Sequence, residues 1–287
     1  MLVVRTIGEV RDARPRFASL GLVPTMGFLH AGHMSLVERA RADCGAVAVS
    51  IFVNPTQFGE AQDLDRYPRD LPRDLAMLAE AGADLVFAPE PAEIYPAGFS
   101  TRIDVGGPTE PLEGASRPGH FVGVATVVAK LFNIFQPTRA YFGQKDAQQT
   151  VVIRRMARDL DMPVEVVISP TVRDADGLAL SSRNARLSAE ERTHALTLFR
   201  ALTAARMRFE AGERSGAALR EVMRAVLAAE PGVEADYVSV AELETLAELD
   251  RVDELALASL AARVGPVRLI DNLILSPGSS AAASDHR

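Results

Sequence analysis

Two histidines three residues apart, His30 and His33, lie in Val23-Pro-Thr-Met-Gly-Phe-Leu-His-Ala-Gly-His33, between a short apolar run and an amphipathic segment. Three-residue spacing puts both imidazoles on one face of a helix. The first N–H groups of such a helix lack intrahelical partners, and its dipole favours negative charge. Imidazole N–H groups add donors, so the chemistry that fits is the binding of phosphate oxygens. The same pair could also serve only as a helix cap. The stretch Gly143-Gln-Lys-Asp146, with Gln149 beyond it, repeats the pattern of strand, glycine turn and polar helix start. Lys145 is a point charge suited to phosphate. Asp146 could cap the helix or accept from a ribose hydroxyl, and Gln149 can face the same cleft. A third group, Ser181, Ser182 and Arg183, stands in a glycine-led loop (Gly177–Asn184). Hydroxyls and a guanidinium can hold phosphate oxygens there, and they are also ordinary loop and capping chemistry.

These groups need elements to hold them in place. Leu20 to Val23 reads as a strand feeding a helix over 34–42, and 45–53 reads as a buried parallel strand. Pro55 stops that strand, which leaves Asn54 and Gln57 at the same sheet edge as the histidines if the strands are parallel. Residues 1–5 suggest an edge strand, 6–18 a helix, 71–82 a helix closed by Gly82, and 84–88 a strand. Residues 98–118 read as a long loop. A helix over 122–135 and strands at 139–142 and 164–169 follow, the strands separated by a helix ending near Leu160. Arg117, beside Gly119-His120, reads as a surface arginine or a phosphate contact. Beyond Ser188, whose spacing to Glu191 is a capping box, two helices (189–211 and 215–229) precede strands at 235–240 and 267–270. Alanine-rich 255–262 reads as helix by propensity. Asp63, Asp65, Asp70 and Asp74 make one segment acidic, a pattern that suits helix starts and a solvated face.

The 287 residues allow one large or two ordinary domains, and 48% are apolar, as in a soluble enzyme-sized protein. With 31 basic and 38 acidic side chains the net charge is −7, which argues against general nucleic-acid binding. Cys44 is the single cysteine, so no internal disulfide can form, and an inert thiol is expected. Neither a signal-peptide core nor a run of bilayer length is seen, so a cytoplasmic protein without membrane association is expected.

Six ordered blocks then carry a resemblance. They are Val23–Gly27 with His30-Ala31-Gly32-His33, Val49–Phe58, Glu113–Phe121, Phe142–Asp146 with Gln149, Asp176–Asn184, and Arg268–Asn272. Together they resemble the pantoate–β-alanine ligase (pantothenate synthetase) family, from Met1 to about Leu275. The resemblance implies an α/β fold. A Rossmann-like parallel-sheet domain with helices on both faces (1–171) would bind ATP and pantoate. A smaller C-terminal α/β domain with a short antiparallel sheet (172–275) would close over the nucleotide, and 276–287 would be a disordered tail. It also implies a homodimer and two steps: ATP and pantoate give pantoyl adenylate and pyrophosphate, then β-alanine displaces AMP. By the family pattern, ATP contacts fall on Met26, Gly27, Phe28, Leu29, His30, Ala31, Gly32 and His33. They continue on Gly143, Gln144, Lys145 and Asp146, then on Val172, Leu180, Ser181, Ser182 and Arg183. Gln57 and Gln149 hold pantoate, with Gln57 also near β-alanine, and His33 matches the catalytic histidine, with His30, Lys145, Ser181 and Arg183 supplying further donors. Gln144 departs from the usual glutamate and Leu180 stands where methionine also occurs; little loss of function is expected from either. The family places a strand at 255–262, against local propensity. Mg²⁺ is implied with ATP, and Asp74 is the best side-chain candidate for it. The competing readings are another His-x-Gly-His nucleotidylyltransferase, which would take a phosphorylated co-substrate, and a non-catalytic nucleotide-binding protein of the same fold.

Overall fold

The computed structural model describes residues 1–58, 64, 65 and 67–277. The expected tail therefore lies, from residue 278 on, outside the described residues, as does Asp63. Two compact units are formed. The first comprises Met1–Val172 with Leu180–Ser182, and the second Arg173–Ala179 with residue 183 onward.

The first unit is built on six parallel strands: β1 (Leu2–Val4), β2 (Gly21–Thr25), β3 (Val47–Ile51), β4 (Leu85–Phe87), β5 (Arg139–Gly143) and β6 (Glu165–Ser169). Their spatial order is β1-β4-β3-β2-β5-β6, and every adjacent pair is parallel. Residues along each strand alternate between two cores, as the two-residue period requires. Leu22, Ala48, Leu85, Phe87, Ala140 and Phe142 join one cluster with α1 (Ile7–Ala13), α4 (His120–Phe135) and α5 (Ala147–Asp159). Val23, Val47, Val49, Val86 and Tyr141 join the other with α2 (Ala31–Cys44) and α3 (Leu71–Glu80). Apolar residues on both faces make these strands continuous hydrophobic runs, and helices cover both faces.

The helix ends follow local chemistry. A reciprocal Thr6–Glu9 capping box opens α1, Asp70 accepts from the Arg73 N–H at the start of α3, and Gly45 closes α2 in the left-handed region at φ 77°. The expected loop over 98–118 holds one turn of 3-10 helix (Gly107–Thr109) and a short helix (Glu113–Ser116). Helix α4 starts at His120, two residues earlier than the apolar pattern suggests, because Gly119 at φ 82° supplies the bend before it.

In the second unit, α6 (Ala189–Glu210) opens with the Ser188–Glu191 capping box and α7 (Gly216–Ala228) follows. The antiparallel sheet is β7 (Val233–Ala241), β8 (Ala256–Val264) and β9 (Val267–Leu275), in that order. Here the propensity reading fails: 256–264 is the central strand, not a helix. Ala256, Ala258, Leu260, Ala262 and Val264 point at one core with residues of both helices, and pairing on two edges satisfies the backbone. Packing on both edges overrides alanine's weak helical preference.

Candidate active site

The His turn leaves the C-terminal end of β2 beside β3 and β5. Its backbone enters the left-handed region twice, at Gly27 (φ 81°) and at Phe28 (φ 50°). A side chain at 27 would meet the Asp74 carboxylate and Ile51, each 3.0 Å from its Cβ, so glycine is needed there. At Phe28 the conformation costs on the order of 1 kcal/mol, and neighbouring groups must hold it. Asp74 on α3 does so. Its two oxygens accept the Phe28 and Leu29 N–H groups, each at 2.7 Å, and the residue is 1% exposed. Burial raises the Asp74 pKa from its ordinary value, and the two N–H donors oppose that rise. The carboxylate suggested above for Mg²⁺ thus holds the turn, each oxygen accepting one backbone N–H. Thr25 Oγ1 accepts the Gly27 N–H at 3.2 Å and donates to the Ser50 carbonyl at 2.8 Å, which fixes the start of the turn.

His30 caps α2. Its Nδ1 accepts the Gly32 N–H at 3.2 Å, while the His30 N–H donates to His33 Nδ1 at 3.3 Å. A ring nitrogen that accepts a backbone N–H carries no proton, so each neutral imidazole must carry its proton on Nε2. The ring centroids are 4.0 Å apart. Burial, then the charge of Lys145, pushes His30 down to about 4; burial, then His30, pushes His33 down to about 3. Both rings are therefore neutral Nε2–H donors at neutral pH, set at a helix N-terminus.

The other candidates of the first unit lie in three groups on the segments that follow β3 and β5 and at Leu180–Ser182. Lys145 and Asp146, in the 3-10 turn that ends β5, lie close enough for their charges to act on both imidazoles, and they stand 3.5 Å from each other. Gly143, Gln144 and Gln149 belong to the same strand end and the helix it feeds. Gln57 ends a 3-10 turn after β3; its Nε2 faces Met26 Sδ at 3.2 Å, and its Oε1 accepts from Asn54 Nδ2 at 3.0 Å. Asn54 in turn accepts from Tyr95 at 2.8 Å, so the amide of Gln57 is held in one orientation. The Leu180 N–H donates to the Val172 carbonyl at 3.0 Å, and Ser182 Oγ donates to the Phe28 carbonyl at 3.3 Å. Leu180 also lies beside Gly32, so Leu180–Ser182, with Ser181 between, is seated on the His turn. Arg183 belongs to the second unit. Among the described residues no group of three or more His, Cys, Asp or Glu is placed to hold a metal ion.

Two positioning groups were not legible in the sequence. One is the Asp74 carboxylate in its backbone-clamping role, 46 positions from Phe28. The other is the pair Arg117 and His120, which donate to the Gln57 carbonyl at 3.2 and 2.9 Å. The only local sign of the second was a polar Arg-Pro-Gly-His sequence at the start of an otherwise apolar helix.

Fold and site define a class: a parallel α/β sheet whose C-terminal edge presents a neutral imidazole pair at a helix start, with Lys145 near the pair and with Gln57 and Leu180–Ser182 against the same turn. The comparisons narrow that class. The family model for pantoate-beta-alanine ligase matches residues 2–274. The pantothenate synthetase of Roseiflexus castenholzii is 64% identical over 276 residues, covering 96% of this chain and 99% of that one. That of Gluconobacter oxydans is 58% identical over 275 residues, with 96% and 100% covered. Among solved structures, pantothenate synthetase from Thermus thermophilus superposes with a TM-score of 0.93 at 54% identity, covering 96% of this chain and 100% of that chain. The pantoate-beta-alanine ligase of Francisella tularensis, complexed with beta-gamma ATP and beta-alanine, gives 0.79 at 33% identity, with 97% and 99% covered. The chain belongs to the pantoate-beta-alanine ligase family.

Proposed function

We propose that this protein condenses (R)-pantoate with β-alanine at the expense of ATP, giving pantothenate, AMP and pyrophosphate through pantoyl adenylate. The observation that carries the residue-level reading is the imidazole pair, with both Nδ1 atoms occupied by backbone N–H groups and both Nε2–H groups left to donate. In the first step a pantoate carboxylate oxygen attacks the α-phosphorus. A P–O bond forms, the bond to the β-phosphate oxygen breaks, and pyrophosphate leaves with its electron pair. Charge grows on phosphate oxygens, so fixed donors are what the step needs. His33, His30, Lys145, Ser181 and Arg183 are the proposed donors. In the second step the β-alanine amine attacks the acyl carbon, the C–O bond to AMP breaks, and the amine loses a proton. Neither step requires a covalent enzyme intermediate.

The nucleotide is proposed to lie along Met26–His33, Gly143–Asp146, Val172 and Leu180–Arg183, the second unit closing over it. Pantoate is assigned to Gln57 and Gln149, whose neutral amides suit its hydroxyls and carboxylate. Those neutral groups also disfavour a phosphorylated co-substrate, the mark of other His-x-Gly-His nucleotidylyltransferases. With Asp74 engaged by the turn, Mg²⁺ fits as an ion carried by the phosphates and water rather than by a protein cage. A homodimer and a cytoplasmic location belong to the same proposal. Among the described residues no helix is long and apolar enough to cross a membrane. Incubation with ATP, Mg²⁺, pantoate and β-alanine should yield pantothenate and AMP in equal amounts. AMP formed without pantothenate, or ADP in its place, would contradict the assignment.

A further inference from the structure

The carbonyl of Gln57 is gripped by two side chains from a different part of the chain. His120 Nδ1 lies 2.9 Å from it and Arg117 Nη2 3.2 Å. A carbonyl only accepts, so Nδ1 carries the His120 proton. Its Nε2 is then the acceptor for Arg117 Nη1 at 3.2 Å. Guanidinium, imidazole and carbonyl close a triangle of hydrogen bonds in which Arg117 donates twice, His120 donates once and accepts once, and the carbonyl accepts twice. Arg117 also stands 3.7 Å from the Glu113 carboxylate. The Glu113 N–H donates to Gln148 Oε1 at 2.9 Å, and Gln148 Nε2 donates to the Pro108 and Pro111 carbonyls at 2.8 Å each. Gln148 precedes Gln149 on α5, so one connected set of contacts runs from the helix bearing one proposed pantoate glutamine to the backbone of the other.

The backbone is built to permit this. A Cβ on Gly123 would fall 2.4 Å from the Thr56 carbonyl oxygen, and one on Gly114 1.7 Å from that of Thr109. Both glycines let the segments touch. His120 is 9% exposed and Glu113 5%. Burying a carboxylate and an imidazole beside a guanidinium costs desolvation. The Pro55–Gln57 turn is already capped by Asn54 and does not need this cluster to close. What the cluster adds is a fixed Gln57 peptide, and with it the aim of an amide that sits against Met26 of the His turn.

We propose that Arg117 and His120 are positioning residues that act through Gln57 to set the affinity for pantoate. The inference rests on Gln57 being a pantoate contact. His120→Ala should raise the pantoate KM roughly 10-fold, while the ATP KM stays within about twofold. His120→Asn, whose amide keeps a donor near the place of Nδ1, should recover most of that loss. In a Gln57→Ala background, His120→Ala should add nothing further, because the group it aims is gone. Arg117→Lys, which keeps the charge but loses the fork, should raise the pantoate KM about threefold and serves if His120→Ala does not fold. Additive effects of Gln57→Ala and His120→Ala, an equal rise in both KM values, or an unchanged pantoate KM in Arg117→Lys would each overturn the proposal. Wild-type protein assayed alongside separates the two levels. Wild type without pantoate turnover refutes the functional reading itself, whereas an active wild type with additive variants refutes only the positioning role.

Discussion

An imidazole whose Nδ1 already accepts a backbone N–H has one polar edge left, and that edge donates. This is the state of both His30 and His33, and it makes them donors rather than bases at neutral pH. His33→Ala should therefore slow adenylate formation by roughly 10²–10³-fold, the scale for removing one donor to a charged transition state. The fold should survive, because the helix start keeps its His30 cap. Near-normal turnover would remove His33 from the mechanism. The same environment has a signature in stability. Burial holds His30 and His120 down to about 4 and His33 to about 3, below the usual histidine value of 6.5. Between those values the unfolded chain binds more protons than the folded one, so the histidines' contribution to stability is complete above about pH 6.5 and is lost progressively on acidification toward 4 and, for His33, toward 3. Thermal melts of the nucleotide-free protein at pH 7.0 and 5.0 should show a lower Tm at the lower pH. Replacing His120 with Asn should shrink the difference.

At the scale of elements, Asp74 shows what a sequence withholds. Its acidic neighbours and its place in the first turn of α3 made a metal ligand or a dipole charge the natural reading. Asp74 does stand in that first turn, and its carboxylate also holds the backbone of a turn 46 residues earlier, a contact no local pattern encodes. Asp74→Asn leaves only one acceptor for two N–H groups and should lower turnover at least 10-fold, since hydrogen bonds to a charged group contribute about 1.5–3 kcal/mol. Raising Mg²⁺ should not restore the rate; restoration would reinstate Asp74 as an ion ligand. The strands of the parallel sheet were readable because burial on both faces forces mostly apolar runs, as in Val47–Ile51, where only Ser50 is polar. Strand β8 was not, because its alanines carry the wrong local preference and only their pairing with β7 and β9 makes them a strand. The histidines, Lys145 and the serine loop were each legible as possible phosphate donors, with a capping or loop role left open, and only the family resemblance joined them into one group. The protonated nitrogen of each histidine, and the grip on Gln57, needed partners brought from distant parts of the chain.

At the scale of the whole molecule, the chain passes between its two compact units at 172–173, 179–180 and 182–183. The short excursion Arg173–Ala179 is fixed within the second unit. Arg173 makes two bonds to Asp271, at 2.6 and 2.8 Å, with its guanidinium 4.2 Å from the Phe199 ring, and Asp271 is 3% exposed. Arg192 binds both Asp174 and Asp176 of the same excursion. Asp271→Ala leaves the guanidinium without its buried partner and should cost about 3–5 kcal/mol of the second unit's stability. Calorimetry should show that loss as a lowered transition; an unchanged profile would mean the pair only decorates the excursion. The central proposal, that this chain activates pantoate as an adenylate, is tested most directly by isotope exchange between pyrophosphate and ATP in the absence of β-alanine. The account predicts exchange that requires pantoate and stops when β-alanine consumes the adenylate. Exchange that proceeds equally without pantoate, or none with fresh Mg²⁺-saturated protein that binds ATP, would contradict it.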